Sequence, residues 1–111
     1  MFNQFIRARD GEKCISCGTI AKRQYHAGHY LTRGARPELA FNEDNCHAQC
    51  SICNNHLSGN LAQYRINLIN KMGIERVETL ENTRQVRKYT IDDYKEIIET
   101  YKEKLKTLSS I

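Results

Sequence analysis

No stretch of this chain is apolar for long enough to span a membrane. Its N-terminus, MFNQFIRARDGEK, lacks the charged-then-apolar pattern of a signal peptide. These absences predict a cytosolic protein with no membrane partner, in a compartment where thiols stay reduced. The cysteine count, five, is odd, which argues against a closed disulfide framework. There is a single proline, Pro37, and there is no internal repeat, low-complexity tract or linker. A chain of 111 residues then makes one small domain with a modest core that needs a staple. Acidic residues are missing from two windows, one between Glu12 and Glu38 and one between Asp44 and Glu75. The first holds Lys13, Lys22, Arg23, Arg33 and Arg36, and the net charge of the chain is +4. The histidines and cysteines fall in the same windows. Such a stripe suits a polyanion such as a phosphate backbone, or it is a solvated basic face.

Apolar periodicity supplies the elements. Phe2, Phe5, Ile6 and Arg9 share one face of a short helix over residues 2 to 9. CISCG reads as a tight knuckle, QYHAGHYL as extended chain, and the residues from Thr32 to about Glu38 as a loop. NEDNCHAQC leads to a second knuckle, CSIC. Leu57, Leu61, Tyr64, Leu68 and Met72 then repeat at helical spacing, with Gly73 placed to end the helix. Gly59, near its start, allows close approach of a backbone or a phosphate. IERVETL adds one or two turns. Thr90 and Asp93 form a reciprocal cap for a last helix with an apolar stripe of Ile91, Tyr94, Ile98, Tyr101, Leu105 and Leu108. That stripe is core or a dimer contact.

Cys14-x2-Cys17 and Cys50-x2-Cys53 are the strongest local pattern. Four thiolates at this spacing close a tetrahedral zinc site, and a closed site leaves the metal no open position for chemistry. The zinc is therefore expected to be structural, replacing core that the chain cannot build. The 32 residues between the pairs leave room for a hairpin and a loop. Cys46 is either a substitute ligand or, as the more usual case, a buried small residue. The second knuckle runs directly into the helix in this reading. Asn54 is then at the helix N-terminus and His56 in its first turn.

The string YHAGHYLTRGARPELAFNEDNCHAQCSICNNHLSGN resembles the NinG (Rap) recombination proteins of lambdoid phages. The resemblance runs from FIRARD through YRINLI to the terminal helix. It implies a small zinc-stapled α+β fold with a ββα-metal (HNH, treble-clef-like) core over residues 1–81. The C-terminal helix of residues 82–111 would pack on that core or on a dimer partner. It also implies a metal-dependent endonuclease cutting branched recombination intermediates, Holliday junctions and D-loops, in the cytoplasm of a bacterial host. Family members carry an additional basic segment before this region, and DNA affinity residing there is expected to be missing here. In such sites a hairpin histidine is the general base and a central asparagine orients it. Carried over, these are His29 and Asn45, with Asn54 a ligand to a catalytic Mg²⁺ or Mn²⁺. The chemistry suits these roles, since histidine takes a proton near neutral pH and hard oxygen ligands suit Mg²⁺. Arg33 and Arg36, with Lys22 and Arg23, would contact DNA phosphates.

One position departs from that pattern. Many HNH sites place an acid or histidine directly before the base, and here it is Gly28, which cannot ligate. The candidates for the second ligand are His26, Glu43, Asp44 and His56. On a strand, His26 and His29 face opposite ways. His47 is either structural or functional. The alternative function is a zinc-dependent DNA-binding module without catalysis, and a third is a zinc-clipped protein adaptor. A junction cutter that nicks two strands symmetrically is expected to be a homodimer, with the last helix as the contact.

Overall fold

The computed structural model describes residues 1–85 and 87–109, so Val86, Ser110 and Ile111 of the expected C-terminal segment lie outside the described residues. Helix α1 (Phe2–Asp10) buries Phe2, Phe5 and Ile6, as their spacing dictates, and stops at Gly11 with φ 68°. The chain then enters the first knuckle. Strands β1 (Tyr25–His29) and β2 (Cys46–Cys50) form one antiparallel pair, with His26 opposite Gln49, Gly28 opposite His47 and His29 opposite Cys46.

Both faces of this pair are covered. Side chains alternate along a strand. Ala27 and Cys46 meet Phe2, Phe5, Ile6 and Tyr101 on one side. On the other lie His26, Gly28, His47 and Gln49. There, helix α2 (Leu61–Met72) brings the Tyr64 hydroxyl to donate to the Gly28 carbonyl at 2.6 Å. Tyr64 and Leu68 continue into a second cluster with Tyr30, Leu39 and, from helix α3 (Ile74–Asn82), Val77 and Leu80.

The outer edge of β2 has no neighbouring strand among the described residues, and the end of α1 stands in for one. Arg9 donates to the Cys46 carbonyl at 2.8 Å. The Ala48 N–H donates to the Asp10 carboxylate at 2.8 Å, and the Ile15 N–H donates to the Ala48 carbonyl at 2.9 Å.

The helix expected directly after the second knuckle is interrupted. Ile52–His56 make a single π-helical turn, and α2 begins only at Leu61. Between them Ser58, Gly59 and Asn60 take positive φ of 49°, 91° and 43°. Glycine and asparagine tolerate this conformation, and tertiary bonds hold it. The Gly59 carbonyl accepts from Gln49 and Ser16, and the Asn60 amide reaches Cys53 Sγ at 3.5 Å. Asn54 and His56 are therefore not on the N-terminus of α2. Leu57 and Leu61 leave the core for the same reason, being 53% and 41% exposed.

Helix α4 (Ile91–Ser109) carries the expected cap. Asp93 N–H donates to Thr90 Oγ1 at 3.1 Å, and Thr90 N–H donates to Asp93 Oδ2 at 2.9 Å. Its stripe divides. Tyr101 is buried with its ring 4.8 Å from that of Phe2 and 5.2 Å from that of Phe5, and Ile97 and Leu108 pack beside it. Ile91, Tyr94 and Ile98 stay exposed. Tyr101 is thus part of the core of this chain. Tyr101→Lys is expected to lower the melting temperature of the chain itself by several degrees, since it buries a charge where a ring packed. An unchanged melting curve would take Tyr101 out of the core. Among the described residues no helix is long and apolar enough to cross a membrane.

Candidate functional site

The four paired cysteines converge. The Sγ atoms of Cys14, Cys17, Cys50 and Cys53 all lie within 4.8 Å of one another, and Cys17 and Cys50 are 3.8 Å apart. A tetrahedron with Zn–S bonds of about 2.3 Å has edges of about 3.8 Å. The donor set and spacing fit a structural metal such as zinc. All five cysteines are free of disulfides. Three donors aim at the sulfurs, as thiolates around a metal require. They are Cys17 N–H to Cys14 at 3.5 Å, the Asn60 amide to Cys53 at 3.5 Å and Arg23 to Cys50 at 3.9 Å. Burial opposes ionisation of Cys50. The Cys53 N–H and the thiols of Cys14, Cys53 and Cys17 reverse this and bring its pKa down to about 7. Cys46 stands apart, packed against α1, and burial pushes its thiol up to about 12.

His29 closes β1, half-buried, with its Nε2 2.8 Å from the Ala40 carbonyl. A carbonyl only accepts, so Nε2 carries the proton and donates it. That tautomer leaves Nδ1 as the acceptor. Burial holds the His29 pKa below its ordinary value, with the charge of Arg33 adding to the effect, against the Ala40 hydrogen bond.

Asn45 is fully buried. Its Oδ1 accepts from Leu31 N–H at 2.9 Å, and its Nδ2 donates to the carbonyls of Leu31 at 3.0 Å and Leu39 at 3.3 Å. Its own carbonyl accepts from Tyr30 N–H at 2.8 Å. One side chain thereby pins both ends of the loop from 31 to 39. The next residue, Ala40, supplies the carbonyl that holds His29. Asn45 acts on His29 through this loop rather than by touching it.

The family model described as Bacteriophage Lambda NinG protein matches residues 1–110. The chain belongs to the NinG family. It is 49% identical over 107 residues to protein ninG of Escherichia phage lambda, covering 96% of this chain and 52% of that protein. It is 47% identical over 107 residues to the ninG proteins of Escherichia phage 933W and Salmonella phage P22, covering 96% of this chain and 53% of each. The chain thus spans about half the length of the curated NinG relatives it matches. No solved structure matches it.

In this NinG chain the other expected site residues are dispersed. Among the described residues, the four cysteines are the only group of three or more His, Cys, Asp or Glu ligands close enough for one ion. His26 is half-buried on the α2 side of the hairpin, opposite in sense to His29, because β1 runs unbroken through Gly28. Asn54, half-buried, donates to Asn55, and His56 is exposed on the same turn. Glu43 accepts from Tyr101 at 2.9 Å and from Lys104, while Asp44 pairs with Arg76, so both acids are committed elsewhere. Arg33 and Lys22 are exposed. Arg23 is exposed as well, but its guanidinium turns toward Cys50.

Arg36 corrects the expectation of a phosphate clamp. It is buried, and it donates to the carbonyls of Leu80 at 3.1 Å, Glu81 at 3.2 Å and Thr83. These are the last carbonyls of α3 and the residue beyond it, which a cation satisfies well. Arg36 is a helix cap.

A second polar cluster has no counterpart in the sequence reading. The Asp10 carboxylate takes Arg9 at 2.7 Å, Ala48 N–H at 2.8 Å and Lys71 at 3.2 Å, and lies 3.6 Å from His47 Nδ1. Burial opposes its ionisation, but the Arg9 guanidinium and the Ala48 N–H hold it well below the usual carboxylate range. His47 Nε2 donates to the Asp44 carbonyl at 2.9 Å, so Nδ1 accepts from Lys71 at 2.9 Å. His47 is structural in this arrangement. The cluster opens onto a cleft of about 810 Å³ lined by Arg9, Lys13, Lys71, Asn67 and Asn70. Asp10 and two of its partners are 38 and 61 residues apart in the chain, which no local pattern can reveal.

Proposed function

We propose that this chain is a metal-dependent endonuclease of the HNH (ββα-metal) type, acting on branched DNA intermediates of recombination. The observation that carries the reading is the fixed tautomer of His29. Its Nε2–H is held by the Ala40 carbonyl at 2.8 Å, Asn45 holds the loop that carries Ala40, and burial holds the ring's pKa below its ordinary value. A base of this kind takes a proton from water. The resulting hydroxide attacks phosphorus, and the bond to the leaving sugar oxygen breaks. A divalent cation, when bound, neutralises charge on the phosphate and the leaving oxygen. His26 and Asn54 would hold it: His26 Nε2 is buried with no hydrogen-bond partner among the described residues, and Asn54 carries an amide oxygen. The exposed Lys13, Lys22 and Arg33 suit the phosphate backbone. Symmetric nicking of a junction favours a homodimer.

The test is cleavage of a synthetic four-way junction, beside linear duplex and a D-loop, with Mg²⁺ or Mn²⁺, by wild type and His29→Ala. Cutting by wild type alone is the expected result, and equal cutting by both sinks the role of His29. The acid limb of the cleavage profile should fall below the ordinary histidine pKa of about 6.5, because protonating His29 removes the base and its folded pKa is depressed. A limb above that value would contradict the geometry. The second reading is a DNA-binding module without catalysis, favoured by Gly28 in place of an acid. It predicts salt-dependent junction binding with no cutting at any metal concentration.

A further inference from the structure

A third acid-free window lies between Glu81 and Asp92. It holds Arg84, Arg87 and Lys88, followed at once by Tyr89. This is the connection between α3 and α4, and all three cations are exposed. Cations interleaved with an aromatic residue suit a nucleic-acid strand, in which charge follows the phosphates and rings meet the bases.

The fold sets Tyr89 in a group of rings. Its centroid is 5.2 Å from that of Phe41, with the planes at 87°, and 5.6 Å from that of Tyr94, tilted by 35°. The Arg87 guanidinium stands over the Tyr89 ring, 4.7 Å from its centroid. Beside these rings is a cleft of about 360 Å³, lined by Phe41, Tyr89, Tyr101, Arg87, Glu38 and Glu96. That is the lower end of the range for small-ligand pockets, about 300–1,000 Å³. Two carboxylates against one cation make the interior hostile to a phosphate. A flat, neutral ring with an exocyclic amino group finds stacking surfaces and acceptors there. Glu38 also accepts from the Gln85 N–H at 3.1 Å, which ties the basic connection to the cleft. Phe41 directly follows Ala40, whose carbonyl accepts from His29. The cleft and the candidate base thus share one loop.

We propose that this cleft takes one unpaired nucleobase of a DNA branch point, adenine or cytosine, stacked on Tyr89, with Arg84 and Lys88 on the flanking phosphates. This rests on the reading above that the chain acts on branched DNA, and not on cleavage. In linear duplex every base is paired and stacked, and taking one out costs free energy. At a branch point or in a single strand that cost is smallest. The cleft therefore favours branched over linear DNA without reading a sequence of base pairs.

The experiment is binding of the zinc-loaded full chain, without Mg²⁺ or Mn²⁺, to a labelled four-way junction, a single strand of mixed adenine and cytosine, and a linear duplex. Fluorescence anisotropy over a range of salt concentrations is the readout. Tyr89→Ala should weaken junction and single-strand binding about tenfold and leave duplex binding unchanged. Tyr89→Phe, which keeps the ring, should bind like wild type. Arg84→Gln/Lys88→Gln should weaken all three DNAs and flatten the salt dependence. On the unaltered protein, a short deoxycytidine oligonucleotide should shift the Tyr89 and Phe41 ring resonances first, which keeps the test valid if Tyr89→Ala does not fold. A junction preference that survives Tyr89→Ala, or ring resonances that do not move, overturns the cleft and leaves the branched-DNA reading standing. Wild type that binds none of the three DNAs overturns both.

Discussion

Stripping the metal from the four-cysteine site is expected to unfold the protein. The core is divided into small clusters on either side of a two-stranded sheet, and a third cluster consists of Cys14, Cys50 and Cys53 with Tyr25 against them. That third cluster has little apolar surface of its own. A metal held by the four sulfurs would join the first knuckle to the end of β2 and the turn after it. Structural zinc contributes about 10 kcal/mol or more in small domains, comparable with the whole stability of about 5–15 kcal/mol of an ordinary domain. A strong chelator at neutral pH should therefore abolish the cooperative melting transition, and Cys53→Ser should do the same without chelator. Metal analysis alongside circular dichroism checks this. A chelated, metal-free protein that melts within a few degrees of the starting one would mean that the cysteines are packing residues only.

Asp10→Ala is expected to cost roughly 3–5 kcal/mol, the range for removing one partner of a buried charged network. The substitution leaves Arg9 and Lys71 without their anion and the Ala48 N–H without an acceptor. It also removes one of the two hydrogen bonds by which the end of α1 holds the backbone of β2, leaving that from Arg9 to the Cys46 carbonyl. The pH dependence has a definite sign. The folded pKa of Asp10 is depressed, so its contribution is complete above the unfolded value of about 3.9 and is lost as pH falls toward the folded one. Denaturant unfolding of wild type and variant from pH 7 to pH 3 should show a gap that narrows with acid. A pH-independent gap would mean that Asp10 acts by packing alone.

What could be read from the sequence is what neighbouring residues decide. The face of α1, the reciprocal cap at Thr90 and Asp93, the two Cys-x-x-Cys turns and the burial of Cys46 all depend on spacings within a few residues. The break at Ser58–Asn60 was not legible, because bonds from Gln49 and Ser16 hold a segment whose apolar spacing is helical. Arg36 was misread for a similar reason. An arginine at the end of an acid-free window suggests a phosphate, and only the placement of α3, 44 residues later, shows that its guanidinium caps a row of carbonyls. His29 and Asn45 were named through family resemblance. Their local wiring, with Ala40 between them, needed the fold. The burial of Gln49 over Gly28 gave no sign in sequence, since it depends on bonds to Ser16 and Gly59 and on the pairing of the hairpin.

The borrowed contacts along the outer edge of β2 bear on how copies of this chain can meet. A bare strand edge is a template on which another chain can add a strand, and small sheets are the most exposed to this. Here the groups that would accept such a strand are spent on Arg9, Asp10 and Ile15 of the same molecule. Continuous sheets between molecules, and the fibrous aggregation that follows from them, are blocked on this side as long as α1 stays docked. Any self-association is thereby left to other surfaces, among them the exposed Ile91, Tyr94 and Ile98 of α4.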